Sequence, residues 1–449
     1  MVTGERGSVE VSTIGIGHLV IVAGGKGTRL AGLTGDLPKA LVPIGGKPVL
    51  QHQLELAARA GLATATVFAG HMAGQIVDFV GDGSRFGLRV EVQVENAPLG
   101  NGGGVLAALD RLPEHFMVVY GDVMLGVDLA AMARAHHQRR ADFTAFVHPN
   151  DHPFDSDLIE VNQDGWVQAI HPYPHPSDRF FANLVNAGLY VVRREALRPL
   201  AKRGRPADFT KDILPELVNA GGGVLAYSSS EYIKDMGTPA RLARVEKDLA
   251  AGRLDLDAAT ALAPAVFLDR DGTLNRDTGF LASPEGLELL AGVGPALRRL
   301  RQGGYRLVVV TNQPVVARGE ASTTDVEDIH RRLEWELGRD GAFLDAIYYC
   351  PHHPDAGFPG ERPELKGPCE CRKPAHALVA RAAREHRLDL ARSWIVGDQT
   401  ADLELARRAG LRSVLVRTGA AGIDGKYDAT PDHTADDLAA AADLILAAV

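Results

Sequence analysis

Short runs of consecutive apolar residues recur along this chain, and each ends in a glycine loop or a carboxylate. The first, His18 to Ala23, runs into Gly24-Gly25, and a later one, Ala265 to Leu268, runs into Asp269. Short runs that are apolar at nearly every position are typical of strands buried on both faces of a sheet. Stretches rich in Ala, Leu, Glu and Arg, such as Val49 to Ala60, separate them and are typical of helices. This alternation predicts a layered α/β fold with mostly parallel strands.

The series of strands starts twice, which predicts two Rossmann-like domains in the 449 residues. A helix over Arg241 to Ala250 leads into a run of small residues, and Pro264 precedes the second series of strands. The predicted division is a loose tail over 1–17, a first domain over 18–250, a linker over 251–263 and a second domain over 264–449.

Composition argues against several classes of function. The chain has 57 acidic and 48 basic residues and a formal net charge of -9, whereas nucleic-acid binders usually carry a basic stripe. It has no apolar run long enough to span a bilayer, and its first 17 residues do not resemble a signal peptide. Its three cysteines argue against a disulfide framework, so a cytoplasmic protein is expected. Neither nucleic acid nor membrane is an expected partner, and the sequence is compatible with a homo-oligomer.

A glycine-rich loop follows the first strand. Gly24, Gly25 and Gly27 lie within four positions, and Thr28 and Arg29 come next. Glycine lets backbone N–H groups approach a polyphosphate, and a guanidinium donates a planar pair of hydrogen bonds to phosphate oxygens. The loop matches neither the Walker motif nor the dinucleotide fingerprint, so by itself it is equally compatible with an ordinary turn.

Further motifs follow this loop in a fixed order. They are Leu37 to Leu41, Pro43 to Pro48, Pro98 to Gly103, Tyr120 to Asp122, Asn186 to Gly188 and Lys234 to Pro239. In this order they resemble the sugar-1-phosphate nucleotidyltransferases over roughly residues 18–250. The resemblance implies a GT-A-like domain in which a sugar 1-phosphate attacks the α-phosphorus of a nucleoside triphosphate and pyrophosphate leaves.

The same resemblance implies a role for each motif. Arg29 would bind the leaving pyrophosphate, and Lys39 would meet the charge growing on the α-phosphoryl group. Asp122 and Asp235 would hold Mg²⁺ through carboxylate oxygens. The implied nucleotide-binding residues are Gly24, Gly25, Gly27, Thr28 and Gly100, the last of which would let the base or ribose lie close to the backbone. The implied sugar contacts are Asn186 and Gly188.

Two segments depart from the pattern of this family. Ile170 to Pro176 stands where the family often has Glu-Lys-Pro, and Thr210-Lys211-Asp212 begins with Thr where the family often has Glu. Both changes alter hydroxyl contacts and indicate an unusual sugar. The segment His148 to Pro153 either lines the sugar pocket or is only a loop stiffened by proline.

The second series of strands carries an acidic motif. Asp269 and Asp271 follow a buried strand, and this spacing directs two carboxylates toward one phosphate, one as a nucleophile and one as a proton shuttle. Thr311, Lys373 and Asp398 follow in an order that is the signature of the haloacid dehalogenase (HAD) superfamily. That resemblance implies that Thr311 and Lys373 hold the phosphoryl oxygens.

The superfamily resemblance also implies a phosphatase that works through an aspartyl phosphate. Asp269 would attack phosphorus, while Asp271 would protonate the leaving hydroxyl and then activate water. Mg²⁺ would be bound by the side chains of Asp269 and Asp398 and by the backbone carbonyl of Asp271. Asp402 either tunes this metal site or supports its loop.

All three cysteines lie close together in this second series. Cys350, Cys369 and Cys371 form with His352 a set of three thiolates and one imidazole, which suits tetrahedral Zn²⁺. Four ligands leave no open position, so a structural zinc is expected in the loop before Lys373. His353 is an alternative to His352 as the fourth ligand.

The zinc loop also carries a more specific resemblance. The runs Cys350 to Pro354 and Cys369 to Pro374 closely resemble D,D-heptose 1,7-bisphosphate phosphatases, and histidinol-phosphate phosphatases are the near alternative. The residues that would reach the sugar or its distal phosphate are Asn312, Gln313, Arg318 and Arg372. Pro314 and Val315 replace the usual Ser-Gly and stiffen the substrate loop.

Together the two resemblances imply successive steps of nucleotide-heptose synthesis. The second domain would remove the 7-phosphate, and the first would transfer a nucleotidyl group to heptose 1-phosphate, with GTP the expected triphosphate because the first half looks most like guanylyltransferases. One alternative is a phosphatase for histidinol phosphate or another small ester, joined to a transferase for a different sugar 1-phosphate. Another is a first half that only binds a nucleotide and regulates. The intact Lys39, Asp122 and Asp235 favour an active transferase.

Overall fold

The computed structural model describes residues 15–25, 35, 37–95, 97–162, 164–176, 179–201, 206–254 and 261–448. By backbone contacts the chain divides into two compact units. One unit comprises the described residues of Met1–Val147, Val161–Ile170 and Asn186–Thr260, and the other those of His148–Glu160, His171–Val185 and Ala261–Val449. Both halves of the chain are layered α/β structures, so the predicted fold class is confirmed. The predicted division at 251–263 stays a prediction.

The N-terminal half contains a nine-stranded sheet and two short strand pairs. The strands are β1 (His18–Ala23), β2 (Pro43–Ile44), β3 (Lys47–Pro48), β4 (Thr64–Ala69), β5 (Arg89–Val94), β6 (His115–Tyr120), β7 (Val123–Gly126), β8 (Phe143–His148), β9 (Leu158–Val161), β10 (Val167–His171), β11 (Val185–Arg193), β12 (Val224–Ser228) and β13 (Tyr232–Asp235). The helices are α1 (Val49–Arg59), α2 (Ala73–Val80), α3 (Gly100–Ala107), α4 (Leu129–Arg139), α5 (Arg194–Ala201), α6 (Leu214–Asn219) and α7 (Pro239–Ala250).

Strand β1 lies at the centre of the large sheet. It pairs in parallel with β4 on one side and β6 on the other, and β4 pairs in parallel with β5. The chain thus builds the sheet outward from β1 in one direction and then returns to the other side. Ligands of open α/β sheets bind at such a reversal, beyond the carboxyl ends of the strands. The glycine loop begins there, directly after β1.

The sheet is mixed rather than wholly parallel. Strand β11 runs antiparallel to β6 and to β9, while β8 and β12 pair in parallel with each other. The apolar runs identify these strands, but direction depends on how the connections cross, which hydropathy does not encode. Helix α1 packs on the sheet through Leu50, Leu54 and Ala57, which recur at helical spacing and are fully buried.

The C-terminal half contains a six-stranded sheet in which every pairing is parallel. Its strands are β14 (Ala265–Leu268), β15 (Arg306–Asn312), β16 (Ala346–Cys350), β17 (Trp394–Gly397), β18 (Arg412–Val416) and β19 (His433–Ala435). Its helices are α8 (Val293–Gln302), α9 (Thr323–Arg339), α10 (Ala377–His386), α11 (Thr400–Ala409) and α12 (Leu438–Ala447).

Both faces of this sheet are covered, which explains why its strands are apolar at nearly every residue. In β14, Val266 and Leu268 pack into one core cluster and Ala265 and Phe267 into another. The strand order is β16-β15-β14-β17-β18-β19, so the reversal point lies beside β14. The motifs that end β14, β15 and β17 therefore meet at one edge of the sheet.

Candidate active sites

Three carboxylates meet at the carboxyl edge of the C-terminal sheet. Asp269 follows β14, Asp398 follows β17, and Asp402 lies in the first turn of α11. One oxygen from each lies within 4.8 Å of the others, and all three residues are buried. Gly272 permits this approach, because its φ is +76° and an added Cβ would come 2.5 Å from Asp398 Oδ2. Such crowding of negative charge requires a cation.

Lys373 supplies one cation. Its Nζ lies 2.8 Å from Asp269 Oδ1 and 2.7 Å from Asp402 Oδ1. Burial works to lower the pKa of Lys373, but the two carboxylates outweigh it and hold that pKa above its ordinary value. The ammonium is therefore charged and fixed beside Asp269, where it can hold a phosphoryl oxygen. Asp402 also accepts a hydrogen bond from Gln399 N at 3.2 Å, so it supports the loop as well as the charge.

Asp398 offers an oxygen to a second cation. Its Oδ2 accepts a hydrogen bond from Ala420 N at 2.6 Å, whereas its buried Oδ1 has no hydrogen-bond partner among the described residues. Burial, and then the charge of Asp269, raise the pKa of Asp398 to about 7. Hard cations such as Mg²⁺ bind carboxylate oxygens of this kind. The residues present therefore fit the expected magnesium.

Asp271 is held by a separate set of donors. Both of its oxygens accept hydrogen bonds from Arg270, at 2.9 and 2.8 Å, while Gln313 and Asn275 donate amide hydrogen bonds at 2.8 and 2.9 Å. Burial works to raise the pKa of Asp271, but Arg270 and the two amides outweigh it and lower that pKa. Asp271 is thus ionised in the free protein and can accept a proton. A phosphate dianion beside it would raise its pKa and allow it to carry that proton.

Two residues expected to reach the sugar contact catalytic groups. Asn312 Oδ1 accepts a hydrogen bond from Lys373 N at 2.9 Å, and its Nδ2 donates to Lys373 O at 3.3 Å. Gln313 is buried and donates to Thr311 Oγ1 at 3.0 Å as well as to Asp271. Both residues therefore position catalytic groups, and their contact with a sugar stays a prediction.

The two arginines expected at the distal phosphate lie near the zinc loop. The Arg318 guanidinium lies 3.9 Å from the ring centroid of Phe280 and 4.3 Å from that of Phe358. Arg372 donates to the backbone carbonyl of His352 at 3.1 Å. Aromatic stacking restricts the rotamers of Arg318 while leaving N–H groups free of ring contact. The roles of both arginines in binding a second phosphate stay predictions.

The cysteines converge as the sequence predicts. Cys350, His352, Cys369 and Cys371 place one ligand atom each within 4.8 Å of the others. The Sγ of Cys371 lies 3.0 Å from that of Cys350 and 3.2 Å from His352 Nδ1. His353 points elsewhere, because its Nδ1 accepts a hydrogen bond from Asp355 N at 3.0 Å. The geometry fits a four-ligand metal such as Zn²⁺ and favours His352 as the imidazole.

The N-terminal site brings its predicted lysine and aspartates together. Lys39 Nζ donates to Asp122 Oδ2 at 2.9 Å. Asp235 lies opposite Val123 in the antiparallel pairing of β13 with β7, and Met236 N donates to the Asp122 carbonyl at 2.9 Å. Arg241 donates to both Asp235 oxygens, at 3.1 and 2.8 Å. The backbones of Asp122 and Asp235 are thus adjacent and each carboxylate is paired with a basic group, while their binding of magnesium stays a prediction.

The other predicted nucleotide and sugar residues have structural roles of their own. Gly27, Thr28 and Arg29 lie outside the described residues, while Gly24 and Gly25 follow β1. Gly100 has a φ of +76°, and an added Cβ would collide with the Ala207 carbonyl. Packing against Ala207 thus explains why position 100 is a glycine. The contact of Gly100 with a base or ribose stays a prediction.

The predicted sugar residues belong to a hydrogen-bonded network. Asn186 Nδ2 donates to Tyr190 Oη at 2.8 Å and to Thr210 Oγ1 at 2.7 Å, and the Tyr190 and Tyr120 hydroxyls lie 3.0 Å apart. An added Cβ at Gly188 would come 2.5 Å from the Tyr120 ring. Thr210, which departs from the family pattern, is therefore part of this network. The sugar contacts of Asn186 and Gly188 stay predictions.

Comparison with known proteins identifies the two halves. Residues 18–252, more than half of the chain, match the family described as nucleotidyl transferase, and residues 370–441 match one described as HAD-hydrolase-like. The D-glycero-beta-D-manno-heptose-1,7-bisphosphate 7-phosphatase of Haemophilus ducreyi is 43% identical over 159 residues, which are 35% of this chain and 85% of that protein. The chain belongs to the nucleotidyl transferase family in its first half and to the HAD-type phosphatases in its second. It is therefore an enzyme with two activities.

A further curated relative and two solved structures are also similar to parts of this chain. The D-glycero-D-manno-heptose-1,7-bisphosphate 7-phosphatase of Thermosynechococcus vestitus is 41% identical over 189 residues, 40% of this chain and 95% of that protein. The solved structure of HddC from Yersinia pseudotuberculosis has a TM-score of 0.46 at 24% identity and covers 52% of this chain and 100% of that one. That of D,D-heptose 1.7-bisphosphate phosphatase from B. bronchiseptica, complexed with magnesium and phosphate, has a TM-score of 0.36 at 35% identity, covering 41% and 99%. In the part of the chain that the structure describes, no helix is both long and apolar enough to cross a membrane.

The structure adds one residue to the nucleotidyl transferase site that sequence reasoning missed. Glu95 directly follows β5, and its side chain lies against Gly24 and Gly104, where an added Cβ on either glycine would meet its carboxylate. Its buried Oε1 has no hydrogen-bond partner among the described residues, and burial raises its pKa. The available signal was its place at a strand end on the edge that carries the glycine loop.

The phosphatase site also contains a residue that the sequence did not single out. Arg270 lies between the two motif aspartates and is fully buried, and it donates to Asp271 and to Gln313 Oε1. It holds Asp271 ionised and away from the metal-binding trio. A basic residue between two acids in the motif was the signal for this role.

Proposed function

We propose that the enzyme makes a nucleoside-diphosphate heptose from a heptose 1,7-bisphosphate in two steps. The observation that carries this proposal is the similarity of the second half, at 41–43% identity, to proteins named heptose-1,7-bisphosphate 7-phosphatases, in one chain with a nucleotidyl transferase. Removal of the 7-phosphate leaves a heptose 1-phosphate, which is the class of substrate that a sugar nucleotidyl transferase uses. The two reactions are therefore consecutive.

The first reaction is a phosphoryl transfer to Asp269. A carboxylate oxygen of Asp269 attacks the phosphorus of the 7-phosphate, the bond from phosphorus to the O7 oxygen breaks, and Asp271 gives that oxygen a proton. Water then attacks the aspartyl phosphate, Asp271 takes a proton from it, and inorganic phosphate leaves. Lys373 neutralises the phosphoryl oxygens in both steps, since its ammonium lies 2.8 Å from Asp269. Mg²⁺ held by Asp269 and Asp398 would neutralise further charge.

The second reaction is a nucleotidyl transfer without a covalent enzyme intermediate. A phosphate oxygen of heptose 1-phosphate attacks the α-phosphorus of the triphosphate, and the bond to the β-phosphate oxygen breaks to release pyrophosphate. Lys39 would leave Asp122 and meet the charge on the α-phosphoryl group. Mg²⁺ held by Asp122 and Asp235 would neutralise the triphosphate.

We propose GTP as the triphosphate because of Glu95. A carboxylate close to a nucleotide is repelled by phosphate unless it binds a metal ion, a ribose hydroxyl or the base, and the proposed partner of Glu95 is the base. Guanine presents two adjacent donors, its N1–H and its exocyclic amino group, and an ionised carboxylate accepts both. Adenine, uracil and cytosine do not offer that pair on one edge. The Glu95 carboxylate lies against Gly24 and Gly104, and Gly24 is part of the loop that follows β1.

The four-ligand cluster is proposed to hold a structural Zn²⁺. Its loop ends directly before Lys373, so a bound metal would fix the backbone that presents the catalytic ammonium. Reduced thiolates and a nucleoside triphosphate are both supplied in the cytoplasm, where we place the enzyme.

The test is to supply purified enzyme and Mg²⁺ with the α and β anomers of D-glycero-D-manno-heptose 1,7-bisphosphate, each with GTP, ATP, CTP or UTP in turn. Phosphorus NMR and mass spectrometry follow the products. The expected result is release of phosphate and, with GTP, formation of pyrophosphate and GDP-heptose. Histidinol phosphate is the control ester, and its hydrolysis in preference to the heptose would overturn the proposed phosphatase substrate. Phosphate release with no triphosphate consumed would overturn the second step.

A further inference from the structure

A cluster of basic side chains lies at the opposite end of the N-terminal strands from the glycine loop. It surrounds a cavity of about 330 Å³ that is lined by His115, His136, His137, Arg140, Ala141, Asp142 and Arg193. His115 begins β6, whereas Asp122 follows its carboxyl end, so roughly 20 Å of strand separate the cavity from the transferase site. Neither proposed reaction uses these residues.

The three imidazoles of this cavity contact one another. Their ring centroids lie 4.9 to 5.4 Å apart, and His115 Nδ1 lies 3.1 Å from His136 Nε2. The other nitrogen of His136 lies 2.8 Å from Thr144 Oγ1. Burial and the neighbouring histidines lower the pKa of His115 and take that of His136 to about 3. Burial therefore disfavours protonation of His115 and His136.

The guanidinium groups give the cavity a net positive charge. Arg193 pairs with Asp142, donating from Nε at 2.9 Å, whereas the exposed Arg140 has no partner among the described residues. Glu114 lies at the rim, 4.0 Å from His115 Nε2, and its side chain is mostly exposed. Two guanidiniums and one carboxylate in the lining leave one uncompensated positive charge.

The position of the cluster at the end of α4 does not account for it. Basic side chains at a helix C-terminus can serve its carbonyl groups. Here the carbonyls of His136 and His137 already accept hydrogen bonds from Ala141 N and Arg140 N, each at 3.0 Å. The imidazoles and Arg140 are thus not needed to end the helix.

We propose that this cavity binds a small inorganic oxyanion of the phosphate class, at a site distinct from both active sites. Imidazole and guanidinium N–H groups are donors, and an oxyanion accepts from several of them at once. An anion would also favour the protonated imidazoles, so that binding takes up protons and tightens as pH falls. Phosphate and pyrophosphate are the products of the two proposed reactions, and this choice of source rests on the proposed function, whereas the site itself does not.

The test is isothermal titration of the whole enzyme, without Mg²⁺, with sulfate, phosphate and pyrophosphate at pH 6 and pH 8. Sulfate is a dianion throughout this pH range. Any change in its affinity with pH therefore reports a change in the protonation of the protein. We expect sulfate to bind about tenfold or more tightly at pH 6 than at pH 8, which corresponds to uptake of about half a proton or more on average over these two pH units. Failure of all three anions to bind at pH 6, or binding of sulfate that is independent of pH, overturns the proposal.

Two substitutions locate the bound anion. Arg140→Asn suits the backbone there, since Asn tolerates the φ of 51° at this position, and His115→Gln retains an amide that can hydrogen bond. Each substitution is expected to weaken sulfate binding at pH 6 by about tenfold. Arg140→Asn removes a charged donor, and His115→Gln removes an imidazole that can be protonated. Arg134→Gln is the matched control, because it removes a charge from the same helix outside the cavity and should leave binding unchanged. Equal affinity in the wild-type, Arg140→Asn and His115→Gln proteins would place the anion elsewhere and refute the site. Whichever of phosphate and pyrophosphate binds more tightly then identifies the reaction that supplies the anion.

Discussion

At the scale of single residues, Glu95 is the proposed determinant of which base the transferase accepts. In the Glu95→Gln variant an amide NH₂ group replaces one carboxylate oxygen. A donor of the protein would then face a donor of guanine, and that hydrogen bond would be lost. We expect kcat/KM for GTP to fall by about tenfold to a hundredfold, since a bidentate set of hydrogen bonds to a base discriminates by about 1–3 kcal/mol. Steady-state release of pyrophosphate with each triphosphate measures this effect, and use of the other triphosphates should not fall with it.

The matched control is Glu91→Gln on the same strand. Glu91 is exposed and lies within β5 rather than after it. Replacing Glu91 with Gln therefore removes the same charge at a position away from the glycine loop. A loss of GTP use that is equal in the two variants would show that charge alone is responsible. A loss that is equal for all four triphosphates in Glu95→Gln would show that Glu95 does not read the base.

Sequence predicted the charged residues of the phosphatase site better than it predicted their partners. Asp269 and Asp398 follow neighbouring parallel strands, so their meeting follows from the sheet, whereas Lys373 reaches them from the loop before α10. The use of Asn312 to hold the Lys373 backbone could not be predicted, because it depends on how a loop sixty-one residues away packs. Glu95 was missed for a similar reason: one acid after one strand has no partner motif.

At the scale of elements, we propose that zinc bound by Cys350, His352, Cys369 and Cys371 supports the catalytic lysine. Cys371 lies two residues before Lys373, and on the other side Asn312 holds the same backbone. Cys371→Ser, or removal of zinc by a chelator, should lower phosphatase kcat by about a hundredfold, because a displacement of about 1 Å in a catalytic group has that cost. Phosphate release and metal content measured by atomic absorption check this expectation.

His353→Gln is the control for the zinc loop. It removes a histidine next to the cluster whose ring already binds Asp355, so zinc content and phosphatase activity should both be retained. Loss of zinc in this variant would assign the fourth ligand to His353 rather than His352. Full phosphatase activity in a zinc-free Cys371→Ser protein would contradict the supporting role of the metal.

Strand β1 gives the N-terminal half a predictable response to acid. Burial lowers the pKa of His18 to about 4, with Glu91 opposing this, and the ring lies between Thr64 and Thr66 at 2.7 and 3.2 Å. The unfolded state then binds more protons than the folded state between about pH 6.5 and pH 4, so stability falls as pH falls through that range. We expect His18 to account for about 2 kcal/mol of lost stability between pH 7.5 and pH 5.

Urea unfolding at several pH values tests the role of His18. The His18→Gln variant keeps a side chain that can hydrogen bond to the threonines but does not titrate, so its stability should depend less on pH than that of the wild type. An identical pH dependence in the two proteins would show that His18 does not carry the effect. His433, which is exposed at its strand, serves as the control for replacing a histidine by Gln.

The elements themselves were largely predictable, and their directions were not. Apolar runs identified β1 and β14 because both faces of each are covered, and a composition rich in helix-forming residues identified α1. The antiparallel course of β11 beside β6 was not predicted, since an apolar run reads the same in either direction. The pairing of β13 with β7, which brings Asp235 to Asp122, is likewise a product of tertiary contacts.

At the scale of the whole molecule, the two sites use separate residues, so each activity should be removable alone. Asp269→Asn removes the nucleophile and should lower phosphate release at least about a thousandfold. Lys39→Met removes the cation that meets the α-phosphoryl charge and should lower pyrophosphate release by about a hundredfold or more. Each variant should retain the other activity within a factor of about two, as for sites that share no residue. Thermal unfolding of both proteins controls for loss of structure.

Comparing two substrates, heptose 1,7-bisphosphate and heptose 1-phosphate, shows which of the two activities each variant has lost. With heptose 1,7-bisphosphate and GTP, Asp269→Asn should form no nucleotide sugar, because the 7-phosphate remains in place. With heptose 1-phosphate and GTP, the same variant should form it at the rate of the wild type, because the first step has been bypassed. Lys39→Met should form little nucleotide sugar from either substrate and should accumulate heptose 1-phosphate from the bisphosphate. If Asp269→Asn still converts the bisphosphate to a nucleotide sugar, the transferase does not require prior dephosphorylation, and the order of the two reactions must be inverted.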